Sequence, residues 1–121
     1  MRSQGDGVTL SYEIDPIELE TDKSVSLGVL ITELVTNAFK YAYPDGVGRV
    51  RVKVTAKVDK IEVSVEDDGV GRNELAPPTG TGVGTKIINA MARGLGTDVK
   101  YRDRGPGTCA YLALPVAPRA A

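Results

Sequence analysis

Two short segments alternate without a break, and they limit the fold more than anything else in the chain. Arg49-Val50-Arg51-Val52-Lys53-Val54 and Ile61-Glu62-Val63-Ser64-Val65 each carry an apolar residue at every second position. That is the period of a strand with one dry face and one wet face. Val58-Asp59-Lys60 between them reads as a hairpin turn. Val8-Thr9-Leu10-Ser11-Tyr12-Glu13-Ile14 also alternates and reads as a half-buried strand ended by Pro16. Two further short strands are expected near Asp98–Arg102 and Thr108–Leu114. Between these lie two helical patterns. The first has candidate N-cap oxygens at Thr21, Asp22 and Ser24 and runs to about Tyr43, where Pro44-Asp45-Gly46 and Gly48 form a turn. The second runs from about Thr85 to Gly94. The order β-α-β-β-loop-α-β-β predicts an α/β (α+β) protein, a two-layer α/β sandwich on a mixed, largely antiparallel sheet.

With 121 residues and no internal repeat, the chain reads as a single domain over residues 1–121, long enough to bury a core without disulfides or metal. The composition removes several chemistries. There is no histidine, so a Ser-His-Asp triad, a Cys-His pair and a His-ligated zinc are all excluded. The single Cys109 lies in an apolar run and reads as a buried strand thiol, in keeping with a reducing compartment. A net charge of −1 points to neither nucleic acid nor an anionic membrane as partner. No apolar run approaches the roughly 20 residues that a membrane span needs. A cytoplasmic setting without direct membrane contact is expected, compatible with a membrane-anchored parent protein.

Three features carry candidate chemistry. On a helical wheel of about 100° per residue, Leu27, Ile31, Leu34, Val35, Ala38 and Ala42 share one side, while Glu33, Asn37 and Lys40 fall within about 60° of each other on the other. A solvated helix face explains such a polar stripe. So does a magnesium-nucleotide site, because Mg²⁺ takes a few protein oxygens and Lys40 would offset phosphate charge. Spacing alone does not decide between them. The second feature is Asp67-Asp68-Gly69-Val70-Gly71, where a strand enters a loop holding five glycines between Asp67 and Gly84. Acidic-glycine turns are common, yet an aspartate at a strand end can also accept from an exocyclic amine, and glycines let backbone approach a flat ring. The third is Gly80-Thr81-Gly82-Val83-Gly84-Thr85-Lys86, ahead of the second helix. It misses the P-loop pattern because Thr85 stands where glycine is required. It also lacks the Rossmann spacing and any parallel βαβ context. A flexible linker would look the same, but a glycine loop feeding a helix start also presents free N–H groups to an anion.

Taken together, the motifs resemble a known superfamily. Glu33-Leu-Val-Thr-Asn37-Ala-Phe-Lys40-Tyr-Ala-Tyr-Pro44 resembles the N-box of the GHKL (Bergerat-fold) ATPases, which include histidine kinases, DNA gyrase, a heat-shock chaperone and mismatch-repair ATPases. Asp67-Asp-Gly69-Val-Gly71 and Gly80-Thr-Gly82-Val83-Gly84 resemble its two glycine boxes, and Gly107-Thr108 its closing element. The stretch from Thr21 to Asn37 is similar to the HWE-like histidine kinases. The resemblance implies an ATP-binding catalytic domain of a sensor histidine kinase, with ATP and Mg²⁺ as cofactors. Asn37 is implied as the metal ligand, and Glu33 as the residue that orients or activates the attacking group. Lys40 and Tyr41 face the phosphates or ribose. Asp67 accepts the adenine amine with Thr108 in support, and Gly69 and Gly71 make room for the base. Gly80, Gly82, Val83, Gly84 and the helix start hold the phosphates under a lid spanning roughly Arg72 to Thr85. Thr85 departs from the family's usual leucine or methionine.

Lacking histidine, the chain has no acceptor of its own. The γ-phosphate is therefore expected to go to a phosphoacceptor histidine helix elsewhere, and on to a response regulator. Two other readings share these motifs: an anti-sigma factor serine kinase of the same superfamily, and a degenerate, non-catalytic interaction module.

Overall fold

The computed structural model describes residues 8–42, 48–69 and 83–116. Five strands form one sheet: β1 (Val8–Ile14), β2 (Gly48–Ala56), β3 (Lys60–Asp67), β4 (Lys100–Asp103) and β5 (Thr108–Pro115). Their order is β1-β2-β3-β5-β4. Two helices, α1 (Thr21–Asn37) and α2 (Val83–Gly94), complete the described elements, with a π-helical turn over Ala38–Ala42 directly after α1. β1 pairs with β2 in parallel, as the helical crossover between them requires. Every other pairing is antiparallel. The sheet is thus mixed and largely antiparallel, and the two-layer sandwich is as expected.

Alternation builds the layers. Val50, Val52 and Val54 on β2, Ile61, Val63 and Val65 on β3, and Ala110, Leu112 and Leu114 on β5 are buried on one face of the sheet. Register stacks them in rows: Val52 opposite Val65, Val63 opposite Leu112, Ile61 opposite Leu114. Leu27, Leu30 and Leu34 of α1, Ile88 and Ala92 of α2, and Leu95 close over this face. Each such aliphatic side chain contributes about 1.5–3 kcal/mol when fully buried. The opposite face carries Arg51, Lys53, Glu62, Ser64 and Glu66 and stays partly wet.

Local rules explain where elements stop. After Ile14, Asp15 continues the β1 edge by donating its N–H to the Val54 carbonyl and accepting from the Ala56 N–H, both at 2.9 Å. α2 ends in a Schellman motif: Thr97 N–H to Ala92 carbonyl, Gly96 N–H to Arg93 carbonyl, with Gly96 at φ 76°.

Three expectations need correction. The α1 cap is Glu20, with no side-chain cap bond, and Thr21, Asp22 and Ser24 all lie inside the helix. The helix stops being α-helical at Ala38, whose N–H is shared between the Leu34 and Val35 carbonyls before the wider turn begins. α2 starts at Val83, so Val83 and Gly84 are helical rather than loop.

Candidate functional site

β3 ends in a residue that breaks its own pattern. Ile61, Val63 and Val65 face the helices, and one further step of two puts Asp67 on the same face. Its partners in register are Val50 on β2 and Thr108 at the start of β5. Asp67 is 6% exposed, the one buried polar or charged residue among those described. A carboxylate in such a place needs partners. Oδ1 accepts from the Gly69 N–H at 3.0 Å and the Thr108 N–H at 3.2 Å. Oδ2 takes no hydrogen bond among the described residues, and no described buried side-chain oxygen or nitrogen is left unpaired, so Oδ2 reaches accessible space. Burial pushes the Asp67 carboxyl above its ordinary range, and the two N–H donors pull it part of the way back. One oxygen is fixed and the other open, which makes a directed acceptor for an N–H donor.

The turn from β4 to β5 braces this corner. Gly105 donates to the Asp103 carboxylate at 3.1 Å, and the Arg104 N–H donates to the Gly107 carbonyl at 3.0 Å. Gly107 sits at φ 101°, and a Cβ there would overlap the Asp67 carbonyl oxygen and stand 2.9 Å from its carbonyl carbon. Only glycine fits so close an approach. From the same turn, Arg104 Nη1 donates to the Asp67 main-chain carbonyl at 2.8 Å and to Asp68 Oδ1. Arg51 of β2 grips Asp68 from the other side with two bonds of 3.0 Å. The Arg51 and Arg104 guanidinium groups hold the Asp68 carboxyl well below the usual carboxylate range. Glu66 completes the cluster, 3.5 Å from Arg51 Nε and 4.0 Å from Arg104 Nε.

The structure brings Asp67, Gly69 and Thr108 together, though not all as expected. Gly69 and Thr108 act through their backbone N–H groups on the carboxylate. Glu33 and Asn37 are half-buried on α1, flanking the core face of Leu27, Leu30 and Leu34 rather than pointing away from it. Leu30, fully buried, lies about 20° from Asn37 on the helical wheel. Lys40 is exposed in the π-helical turn. That turn packs on β3, the strand carrying Asp67. The backbone of Tyr41 belongs to the same turn, and Val83 and Gly84 to the first turn of α2. Gly71, Gly80, Gly82 and most of the expected lid lie outside the described residues.

Arg51 and Arg104 were not marked as site residues in the sequence, and Asp68 stood in the acidic-glycine motif without a role. The parity of Ile61, Val63 and Val65, extended to Asp67, was a usable signal for the buried acid. Nothing in the sequence ties Arg104 to Asp68, which stand 36 positions apart. The open face of the sheet also holds a cavity of about 470 Å³ between Lys53, Glu62, Glu66, Lys100, Arg102 and Tyr111. Its charges are mixed, Arg102 stacks over the Tyr111 ring at 5.3 Å, and Asp67 does not line it.

Fold and site together define a class, the ATP-binding domains in which two helices cover one face of a mixed sheet. A family model described as histidine kinase-, DNA gyrase B- and HSP90-like ATPase matches residues 22–118, and the chain belongs to that family. Blue-light-activated histidine kinase 2 of Erythrobacter litoralis is 27% identical over 114 residues, which is 91% of this chain and 33% of that protein. Sensor histidine kinase PdtaS of Mycobacterium tuberculosis is 29% identical over 106 residues, 84% of this chain and 21% of that protein. The chain therefore spans a third or less of the length of these relatives. The solved histidine kinase domain of the Erythrobacter litoralis blue-light-activated kinase superposes with a TM-score of 0.79 at 26% identity, covering 90% of this chain and 52% of the other. The mycobacterial sensor histidine kinase MprB shares the fold, with a TM-score of 0.72 at 22% identity over 93% of this chain and 86% of the other. These likenesses place the chain with the ATP-binding catalytic domains of sensor histidine kinases, proteins of two-component signalling.

Proposed function

We propose that this chain binds Mg-ATP at the C-terminal end of β3 and donates the γ-phosphoryl group to a histidine on a separate phosphoacceptor helix. The observation that carries the reading is the Asp67 carboxylate, buried at a core position with Oδ1 held by two N–H groups and Oδ2 open. An adenine exocyclic amine is the donor that suits it. Unpaired burial of a charged acceptor is otherwise costly.

The remaining roles follow from placement. No three His, Cys, Asp or Glu side chains gather to hold a metal among the described residues. The Asn37 amide oxygen, together with phosphate oxygens of ATP, is a donor set that suits Mg²⁺, which takes few protein ligands. When bound, that ion supplies charge neutralisation to the triphosphate. Lys40, on the exposed π-helical turn, adds a cation without desolvation. Glu33, one turn before Asn37, orients the incoming imidazole. Gly71, Gly80 and Gly82 remain assigned to base and phosphates by motif, with Tyr41, Val83 and Gly84. The attacking imidazole nitrogen bonds to the γ-phosphorus, the bond to the bridging oxygen breaks, and ADP leaves with that electron pair. Such transfer is mostly positioning and charge stabilisation. The chain has no histidine, so the acceptor and the response regulator downstream are other segments or proteins. The similarity of Thr21–Asn37 to HWE-like kinases agrees with this partnership.

Titration calorimetry of the 121-residue chain with Mg-ADP is expected to show one site, and labelled Mg-ATP with an added acceptor domain is expected to yield an acid-labile phosphohistidine. Binding without transfer, or label on serine, would redirect the reading to a serine kinase of the same family. No binding at millimolar nucleotide would leave a non-catalytic module.

A further inference from the structure

We propose that Arg104 is a positioning residue for base selectivity: it locks the β4–β5 turn onto Asp67 so that Oδ2, and not Oδ1, is presented to the base. The inference rests on Asp67 being the adenine acceptor, and it concerns what holds that acceptor in place. Several contacts converge. Arg104 Nη1 fixes the Asp67 carbonyl at 2.8 Å. The same nitrogen ties to Asp68 Oδ1, and Asp68 is in turn anchored to β2 through Arg51 at 3.0 Å. Gly107, hydrogen-bonded to the Arg104 N–H, packs its bare Cα against the Asp67 peptide. The next residue, Thr108, delivers the N–H that occupies Oδ1.

Arg104 therefore acts at both ends of one short lever. It holds the peptide from which the Asp67 side chain hangs, and it holds the turn that supplies the donor to that side chain. A guanidinium suits the task because the two N–H bonds of its Nη1 diverge in a fixed plane, one toward the Asp67 carbonyl and one toward the Asp68 carboxylate. Without it, the Thr108 N–H drifts from Oδ1, only the Gly69 N–H still holds that oxygen, and the carboxylate swings more widely about one contact instead of two. Lost orientation of a hydrogen-bonding group costs selectivity against an analogue that lacks the matching donor far more than it costs general affinity.

The test compares Mg-ADP with Mg-purine riboside 5′-diphosphate, which has hydrogen in place of the exocyclic amine, on the wild-type chain, Arg104→Ala and Arg104→Lys. The wild type should prefer ADP by about tenfold or more, the scale of one hydrogen bond to a charged group. Arg104→Ala should cut that preference to about threefold or less, while its affinity for the analogue stays within about twofold. Arg104→Lys, which keeps the charge on a shorter side chain without the planar head, should fall between. Amide hydrogen exchange gives a ligand-free readout: Thr108 should lose protection in Arg104→Ala while Leu112, deeper in the same strand, keeps it. If Arg104→Ala does not fold, Asp68→Asn carries the same comparison, because it loosens the grip on Arg104 while keeping shape. An undiminished ADP preference overturns the proposal, and so does equal weakening of both nucleotides, which would mark a merely structural role. A wild type that does not distinguish the two nucleotides would instead sink the acceptor reading of Asp67, with this proposal falling behind it.

Discussion

On the helix-covered face of the sheet a single carboxylate, Asp67, sits among valines and leucines with only backbone N–H partners. On the open face Glu66 and Asp68 stand against Arg51 and Arg104, and Glu13 lies 3.7 Å from Lys53. Adjacent residues at the end of one strand thus meet opposite electrostatics: burial raises the carboxyl of Asp67, the last residue of β3, while guanidinium groups lower that of Asp68, just beyond it. The open face spends its charges in pairs and gains solubility. The covered face keeps one charge poorly compensated, and that charge is the one with an oxygen to offer a ligand. A site is recognisable here because it violates the economy of its own surroundings.

The largest test of this contrast is packing. Leu114, fully buried on β5, is expected to cost about 2–5 kcal/mol as Leu114→Ala, read from urea denaturation. A loss below about 1 kcal/mol would mean that the covered face does not dominate stability.

Next comes Asp67→Asn. Nucleotide affinity should fall about 10- to 100-fold, because the new amide must point either its oxygen or its NH₂ at the base. The ligand-free domain should be as stable as the wild type or more so, since the change removes a buried charge. Loss of stability in step with affinity would show that Asp67 is structural.

Smaller effects appear with pH. Asp68 has a depressed folded value, so its contribution is present above the ordinary carboxylate range, about pH 4, and is lost as pH falls below it. Asp67 has a raised value, so its charge weighs against folding at neutrality and that penalty fades on acidification. The Asp68 side chain is 48% exposed, so solvent screening limits its share to about 1 kcal/mol or less. Urea midpoints measured across pH should show the deficit of Asp68→Asn shrinking in acid, and the advantage of Asp67→Asn shrinking as well. A deficit of Asp68→Asn that grows in acid would reverse the assigned sign.

The smallest effect is expected at Lys53→Ala. This residue is paired to Glu13 across well-exposed side chains and should change stability by no more than about 0.5 kcal/mol. A larger loss would mean that the open face contributes more than surface pairing.

Much of this was legible in the sequence because period-two alternation is a local signal. It located β1, β2 and β3, and the parity that buries Val63 also buries Asp67. The motifs marked Asp67, Gly69 and Thr108 as one site, but not that the last two act through backbone, since main-chain donors leave no trace in residue identity. The break at Ala38 was not legible, because Ala38-Phe39-Lys40 has no breaker and the wider turn depends on packing against β3. The missing side-chain cap was not legible either: the helix begins at Thr21, so Thr21, Asp22 and Ser24 all lie inside it and the N-cap position falls to Glu20. Arg104 was invisible because its meaning lies in a partner that the fold, not the sequence, brings near.

The register of β3 also bears on how the chain reaches its fold. Glu66 and Asp67 differ by one position and belong to opposite faces of β3, so a slip of β3 by one residue against β2 and β5 would not be a small error. It would carry Glu66 under the helices without its arginines and turn Ile61, Val63 and Val65 out to water. Such a mispaired sheet would bury an acid and leave three aliphatic side chains in water. The same alternation that displays one acid and shelters the other thus acts as a proofreading device during assembly.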